Sequence, residues 1–329
     1  MKKLNLIVNF VDLKHNIYKS FIQKYNKMKQ IILITILCLL FLGCGRGDYQ
    51  PQFNPYTGTR GLEIKFLDNA PGPIVYENDI IPFGFSIKNE GAHHIERGII
   101  NINYQKEHLS EFINDGNSIY LKGKTIYDPI GEEKNKLFYF KVNQLDAMSQ
   151  VRDSSIAVNA CYEYGTLLNT EVCIDPDLFD LLRDRNKPCT VRDQSFSGQG
   201  APVGITYLTP TMIPTPGEDN KIIPEFEITI QNLGRGNVIS TNIIERYCSH
   251  DQISRDDFNI VQVQSKLGLE NLNCNPQIIR LDERGTGKTR CRLEQGISDV
   301  SVAFSSVLEI KLKYGYTLTS TKDFKIHRR

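Results

Sequence analysis

Phe83-Gly84-Phe85-Ser86-Ile87-Lys88-Asn89-Glu90-Gly91 returns 143 positions later, in outline, as Phe226-Glu227-Ile228-Thr229-Ile230-Gln231-Asn232-Leu233-Gly234. In each copy large apolar residues alternate with small or polar ones, and Asn-x-Gly closes the run. Period-two alternation puts Phe83, Phe85 and Ile87 on one face of a strand, with Gly84, Ser86 and Lys88 on the other. This is the pattern of an antiparallel strand with one face in a core and one in water. Asn and Gly tolerate positive φ, so Asn-x-Gly reads as a tight turn out of each strand. The echo reaches upstream. Ile-Ile-Pro precedes both copies (Ile80–Pro82, Ile222–Pro224), and Pro-Gly precedes each of those (Pro71-Gly72, Pro216-Gly217).

Working outward, short alternating strands fall at Leu62–Leu67, Ile74–Tyr76, Ile95–Tyr104 and Leu137–Val142. Ser155–Asp175 reads as a hairpin turning near Gly165-Thr166, and His108–Asp115 as one helical turn. Later strands are expected at Val203–Leu208, Asn237–Tyr247, Ile260–Val263, Gln277–Leu281, Thr289–Leu293 and Ser306–Tyr314, followed by a polar tail from Thr319. A short surface helix fits between Asp175 and Pro188. Many short strands without crossover helices predict an all-β chain: two tandem antiparallel sandwich domains, residues 61–194 and 195–329. The 329 residues allow about two domains.

The N-terminus points to export. Ile31–Leu42 is an uncharged apolar run, too short for the roughly 20 residues that span a bilayer. Behind Lys27 and Lys29 it fits the core of a secretory signal. Residues 1–43 read as the signal region, with Met28 as an alternative start. Residues 44–60, rich in Gly, Pro and polar residues, read as a flexible tether. Phe41-Leu42-Gly43-Cys44 resembles the lipobox of prokaryotic lipoproteins, which implies lipid attachment at Cys44. An uncleaved signal anchor is the other reading, and both export the same body.

Seven Lys and one Asp lie before Cys44, leaving 32 of 39 basic and 37 of 38 acidic groups for the rest. That balance argues against a nucleic-acid partner. Six cysteines remain for an exported body: Cys161, Cys173, Cys189, Cys248, Cys274 and Cys291. Hairpin geometry pairs Cys161 with Cys173 and Cys274 with Cys291, leaving Cys189 with Cys248. Cys173 with Cys189 is the rival scheme.

No catalytic, cofactor or metal site emerges. Gly285-Thr-Gly-Lys-Thr289 matches only the end of a P-loop, since Asp282 stands where its first Gly belongs. His93-His94 with Glu96, and Asp175, Asp177 and Asp180, read as solvated groups rather than metal ligands. His108 and His250-Asp251 are isolated. Gly-x-Ser-x-Gly is absent, and so is any Asn-x-Ser/Thr sequon. Arg46-Gly47-Asp48 is a three-residue match and carries no weight.

On the twin strands with Asn-x-Gly, residues 61–104 and 203–247 resemble Ig-like sandwich modules of the cell-adhesion-related type found on prokaryotic surfaces. Cys189-Thr-Val-Arg-Asp193 and Gly198-Gln-Gly-Ala-Pro202 are similar to segments of exported archaeal proteins. The resemblance implies a non-enzymatic binding, adhesion or scaffold module at the cell envelope, in contact with a protein or glycan. An exported hydrolase with a loop-built site and a solute-binding lipoprotein are the competing classes.

Overall fold

The computed structural model describes residues 53–113, 116–177, 187–215, 221–249, 251–298 and 302–329, with Lys24 and residues 27–29, which are helical. The apolar run, Cys44, Arg46-Gly47-Asp48, the first part of the tether, the helix expected after Asp177, Asp180, Pro216-Gly217 and His250 lie outside the described residues. Among those described, no helix is long and apolar enough to cross a membrane.

The first half of the body lays down β1 (Leu62–Phe66), β2 (Ile74–Tyr76), β3 (Ile80–Asn89), β4 (Ile95–Tyr104), β5 (Leu109–Ile113), β6 (Ser118–Leu121), β7 (Glu133–Val142) and β8 (Val151–Ile174). The second half adds β9 (Gln194–Ser195), β10 (Val203–Pro214), β11 (Ile222–Asn232), β12 (Asn237–Ile239), β13 (Ile260–Leu267), β14 (Glu270–Asn271), β15 (Asn273–Asn275), β16 (Ile278–Arg280), β17 (Thr286–Arg292) and β18 (Phe304–His327). One sheet runs β1-β3-β7-β5, a second β15-β17-β11-β10-β9, and a nine-stranded sheet has β14-β13-β18-β8-β4-β6 as its spine. The chain is all-β and sandwich-like. Phe83, Phe85 and Ile87 are buried as the alternation predicts, and so are Phe226, Ile228 and Ile230. The reverse face of β3 is not wet, however. Leu67 and Leu137 lie against Gly84, so that strand is covered on both sides.

The large sheet departs furthest from expectation. Ser155–Asp175 is no hairpin; it lies within β8, a single 24-residue strand. β18 is equally long, and the expected polar tail forms its last third, with Phe324 and Ile326 buried. The two pair antiparallel without interruption from Val151↔His327 to Ile174↔Phe304. At about 3.3 Å per residue such a ribbon is roughly 80 Å long. β4 joins its first-half end at β8 residues 156–162, and β13 joins the other end at β18 residues 308–313. Each half is therefore completed by a strand from the other, and Phe53–Arg329 form one compact unit. A division at 194/195 leaves these shared strands out of account. The apolar phase explains the continuity: from Ser154 to Ile174 every even-numbered residue but half-buried Thr170 is buried, with no slip at Gly165-Thr166.

At the middle of the ribbon Tyr164 pairs with Tyr314 and Tyr162 with Tyr316. Their rings form a closed square, with centroids 5.6 Å (162–164), 5.9 Å (162–316), 6.3 Å (314–316) and 6.4 Å (164–314) apart. Each buried ring contributes on the order of 2–3 kcal/mol by removal from water, provided its hydroxyl is hydrogen-bonded. All four are. Tyr164 Oη donates to Asn89 Oδ1 (3.0 Å) and Tyr316 Oη to Asn232 Oδ1 (3.3 Å). Tyr162 Oη accepts from Leu62 N (3.2 Å) and Tyr314 Oη from Val203 N (3.3 Å). Leu62 pairs with Asn89, and Val203 with Asn232. The two halves thus repeat the same contacts about an approximate two-fold axis through the Glu163–Gly315 pair.

This repeat gives Asn-x-Gly its physical meaning. Neither Gly91 nor Gly234 has positive φ. Each is glycine because a Cβ there would overlap the hydroxyl of Tyr164 or Tyr316. The Asn side chain folds back on its own loop: Asn89 Oδ1 accepts from Gly91 N (3.2 Å) and its Nδ2 donates to His93 O (2.8 Å). Asn232 does the same with Gly234 N (3.2 Å) and Gly236 O (2.9 Å).

On the opposite face of the ribbon's middle, Asn237–Tyr247 is not one strand. It forms β12, a 3-10 turn at Thr241–Ile243 and the helix Ile244–Cys248. Ile239, Ile243 and Ile244 bury against Cys161 there, and a Cys161–Cys248 disulfide clamps the helix to β8. That bridge closes an 87-residue separation, worth about 4–5 kcal/mol on the chain-entropy argument, against about 3 for a short loop. Cys173 pairs with Cys189, and Cys274 with Cys291 directly across β15 and β17. Cys161–Cys173 is impossible because twelve residues of one extended strand, about 40 Å, separate them, and Cys189–Cys248 falls with it. Within the His108–Asp115 stretch, read as a helical turn, Leu109–Ile113 is the strand β5, and residues 114–115 lie outside the described residues.

Two outcomes follow for the tyrosine square. Asn89→Ala, which strips a fully buried group of four partners, should cost on the order of 3 kcal/mol in denaturant unfolding. Asn232→Ala, at a half-buried site, should cost less. Burial raises all four hydroxyls, with Tyr316 pushed up to about 12. A phenol raised in the fold is neutral below the unfolded value near 10, so its contribution is intact there and is lost as pH rises towards the folded values. Absorbance titration should therefore show these tyrosines ionising late, together with loss of the fold's circular dichroism.

Candidate functional site

Four segments meet beside the tyrosine square, at the waist between the halves. Gly200 N donates to Gly58 O (2.8 Å), Ala92 N to Gly200 O (2.8 Å), and Lys124 N to Gly91 O (2.7 Å). The N-terminal strap, the β3–β4 turn, the segment before β10 and the β6–β7 loop are thus joined in series. Arg60 reinforces the join by donating to Glu90 Oε2 at 2.7 Å. Burial acts to raise Glu90, but Arg60 outweighs it and holds the carboxyl below its ordinary value.

The β6–β7 loop, Lys122–Glu132, is exposed and held by a set of internal hydrogen bonds. Glu132 closes its neck: Lys122 N donates to Glu132 Oε2 (2.8 Å), and Glu132 N to Lys122 O (3.1 Å). Thr125 and Asp128 then order the tip. Thr125 Oγ1 accepts from Tyr127 N (3.3 Å) and Asp128 N (2.9 Å), Thr125 N donates to Asp128 O (2.8 Å), and Asp128 Oδ1 accepts from Ile130 N (3.3 Å). With the amides of Thr125, Tyr127, Asp128 and Ile130 bonded within it, this tip presents Ile126, Tyr127 and Ile130 at 45%, 91% and 64% exposure. An ordered loop that holds clustered apolar side chains in water has the character of a contact surface.

A second feature is an open groove of about 560 Å³ at the end of the ribbon, lined by Gln105, Asp153, Ser154, Asp323 and Lys325 among others. Beside it the Ser154 hydroxyl donates to Gln105 Oε1 (3.0 Å), and His108 Nδ1 lies 2.8 Å from that oxygen and 3.3 Å from Ser154 Oγ. Gln105 Oε1 can only accept, so Nδ1 carries the proton and offers the serine no base. The contact satisfies a buried hydroxyl without activating it.

The residues singled out in the sequence are scattered. His93 packs edge-on to Tyr164 (5.5 Å), whereas His94 Nδ1 accepts from Gly123 N (2.8 Å). Desolvation, with His94 adding, lowers the His93 pKa. Asp175 and Asp177 both pair with Lys187, at 2.9 and 3.3 Å. Gly285 lies in the turn before β17 with φ +73°, Lys288 pairs with Glu227 (2.7 Å), and Thr289 Oγ1 donates to Pro276 O (2.7 Å), so no phosphate cradle forms. Among the described residues, no three His, Cys, Asp or Glu converge as a metal site. The β6–β7 loop went unread in the sequence. Its signal is Ile126-Tyr-Asp-Pro-Ile130 between Gly123 and Gly131, apolar residues without strand periodicity.

No family model matches this chain, and no curated protein matches it. Among solved structures it is similar to the secreted serine protease VesC from Vibrio cholerae, at 9% identity over 80% of this chain and 51% of that chain, with a TM-score of 0.20. The chain spans about half the length of that protein, and so loose a likeness bears on neither fold nor activity.

The Lys122 amide, outweighing burial, and then Lys134 hold the Glu132 carboxyl below the ordinary range. A depressed carboxyl stabilises above its unfolded pKa and loses that contribution as pH falls through the folded value. Glu132→Ala should speed hydrogen exchange of the loop amides by about tenfold, the equivalent of one hydrogen bond, while leaving the melting temperature nearly unchanged.

Proposed function

We propose that this chain is an exported, membrane-tethered display module whose two halves are Ig-like sandwiches and which acts by binding rather than catalysis. The observation that carries the reading is the pairing of all six body cysteines as disulfides. Structural disulfides persist in oxidising compartments and are rare in a reducing cytosol. The apolar run Ile31–Leu42 followed by Gly43-Cys44 supplies a route there and an attachment point. The likeness to cell-adhesion-related modules supports a role in spacing, adhesion or scaffolding through protein or glycan contacts. The shared ribbon suits such a role, because relative motion of the halves would break backbone pairs.

Expression in a prokaryotic host with a labelled lipid precursor tests the reading. The chain should carry label in the membrane fraction, Cys44→Ala should lose it, and thiol reagents should find the six body cysteines blocked. An unlabelled cytosolic protein with six free thiols overturns the proposal.

A further inference from the structure

We propose that the β6–β7 loop is a membrane-contacting loop, which lays Ile126, Tyr127 and Ile130 into the interface of the bilayer that holds the chain's own N-terminus. This rests on the membrane-tethered reading above and adds which surface of the body faces the lipid. Three observations single out a lipid surface as the occupant.

The first is the chemistry of the tip. Tyr127 is 91% exposed between two exposed isoleucines, and an aromatic with one polar end favours the boundary between headgroups and acyl chains. The amides of Thr125, Tyr127, Asp128 and Ile130 are bonded within the loop. Those four donors enter the interface already paired, which lowers the cost of taking the tip out of bulk water.

The second is place and reach. The described body begins at Phe53, and its strap meets the loop through the Gly58–Gly200, Gly200–Ala92 and Gly91–Lys124 junctions. Only eight residues, Gly45–Gln52, separate Cys44 from Phe53. At most about 3.5 Å each, they hold Phe53 within roughly 30 Å of the lipid at Cys44. Phe53 and Tyr56 on that strap are themselves exposed.

The third is charge. From Lys122 to Glu132 the loop holds two lysines and two carboxylates, a net charge of zero. The loop is neither repelled by an anionic surface nor dependent on one, so its contact is apolar and should survive high ionic strength.

The chain contains no Trp, so a single substitution places one indole reporter in an otherwise silent protein. Full-length Tyr127→Trp, reconstituted into phosphatidylcholine vesicles, should show blue-shifted emission, quenching by bromine-labelled acyl chains and protection from aqueous acrylamide, unchanged in high salt. Ile130→Trp should agree. Leu269→Trp, at a 96% exposed site in the β13–β14 turn, should stay aqueous in the same vesicles. Protein retained on vesicles with the indoles of Tyr127→Trp and Ile130→Trp still in water overturns this proposal and leaves the tethered reading standing. Quenching of Leu269→Trp as strong as that of Tyr127→Trp means non-specific adsorption and overturns it too. Failure of the full chain to partition into vesicles overturns the tethered reading, and this proposal with it.

Discussion

Twenty-four consecutive backbone pairings between β8 and β18 bind the middle of the chain to its end, and both sandwich layers are assembled on that ribbon. The sheet β1-β3-β7-β5 packs on one stretch and β15-β17-β11-β10-β9 on the other, with a continuous apolar core from Leu62 to Ile326. Neither half is complete without the other's long strand. Pairing across some 150 residues of sequence makes closure depend on contacts of high separation, which form slowly. The first half also depends on residues far along the chain, since β2 and the start of β8 pair with the end of β18.

At the ribbon's centre the problem is to join two apolar layers without leaving polar groups unpaired. The tyrosine square fills the junction with four large rings, and their hydroxyls reach the backbone and the asparagines of both repeat copies. Substituting Phe for Tyr164 would keep the area but take one of four partners from Asn89, which is fully buried. Gly91 and Gly234 make room for the hydroxyls, and Asn89 and Asn232 turn the chain beneath them. The recurrence of Asn-x-Gly is therefore the imprint of one tertiary contact made twice, rather than of a turn type.

Much of this was legible from alternation alone. The repeat, the buried faces of β3 and β11, and the all-β class follow from residues such as Phe85 and Ile228. Gly165-Thr166 has the composition of a turn, so Ser155–Asp175 reads as a hairpin, but the apolar phase runs through Gly165 unshifted and the segment is one strand. Thr319–His327 hid because two of its inward positions, Ser320 and Lys322, are polar and half-buried, which interrupts the apolar alternation before Phe324 and Ile326 resume it. Cys161 could not be matched from sequence, since its partner Cys248 lies on a helix that packs on the opposite face of a sheet. The loop at Tyr127 has no periodicity, and its order comes from Thr125, Asp128 and Glu132 acting on backbone amides.

The point at which the N-terminal strap joins the body also follows from the shared ribbon. In two beads on a string, the first strand would hang from the far end of the first bead. Here β1 pairs with β3 at Leu62↔Asn89, beside Tyr162 and Tyr164, so the strap enters at the middle. A pull on the strap is then borne by the centre of the ribbon, where Arg60 holds Glu90 and Ala92 and Gly200 pass the load to both halves. Backbone pairs on either side of that centre resist together, as they could not at a free end. The same entry point leaves both ends of the ribbon, about 40 Å away on each side at strand spacing, clear of the strap, and the groove at Asp153 and Asp323 lies at one of them.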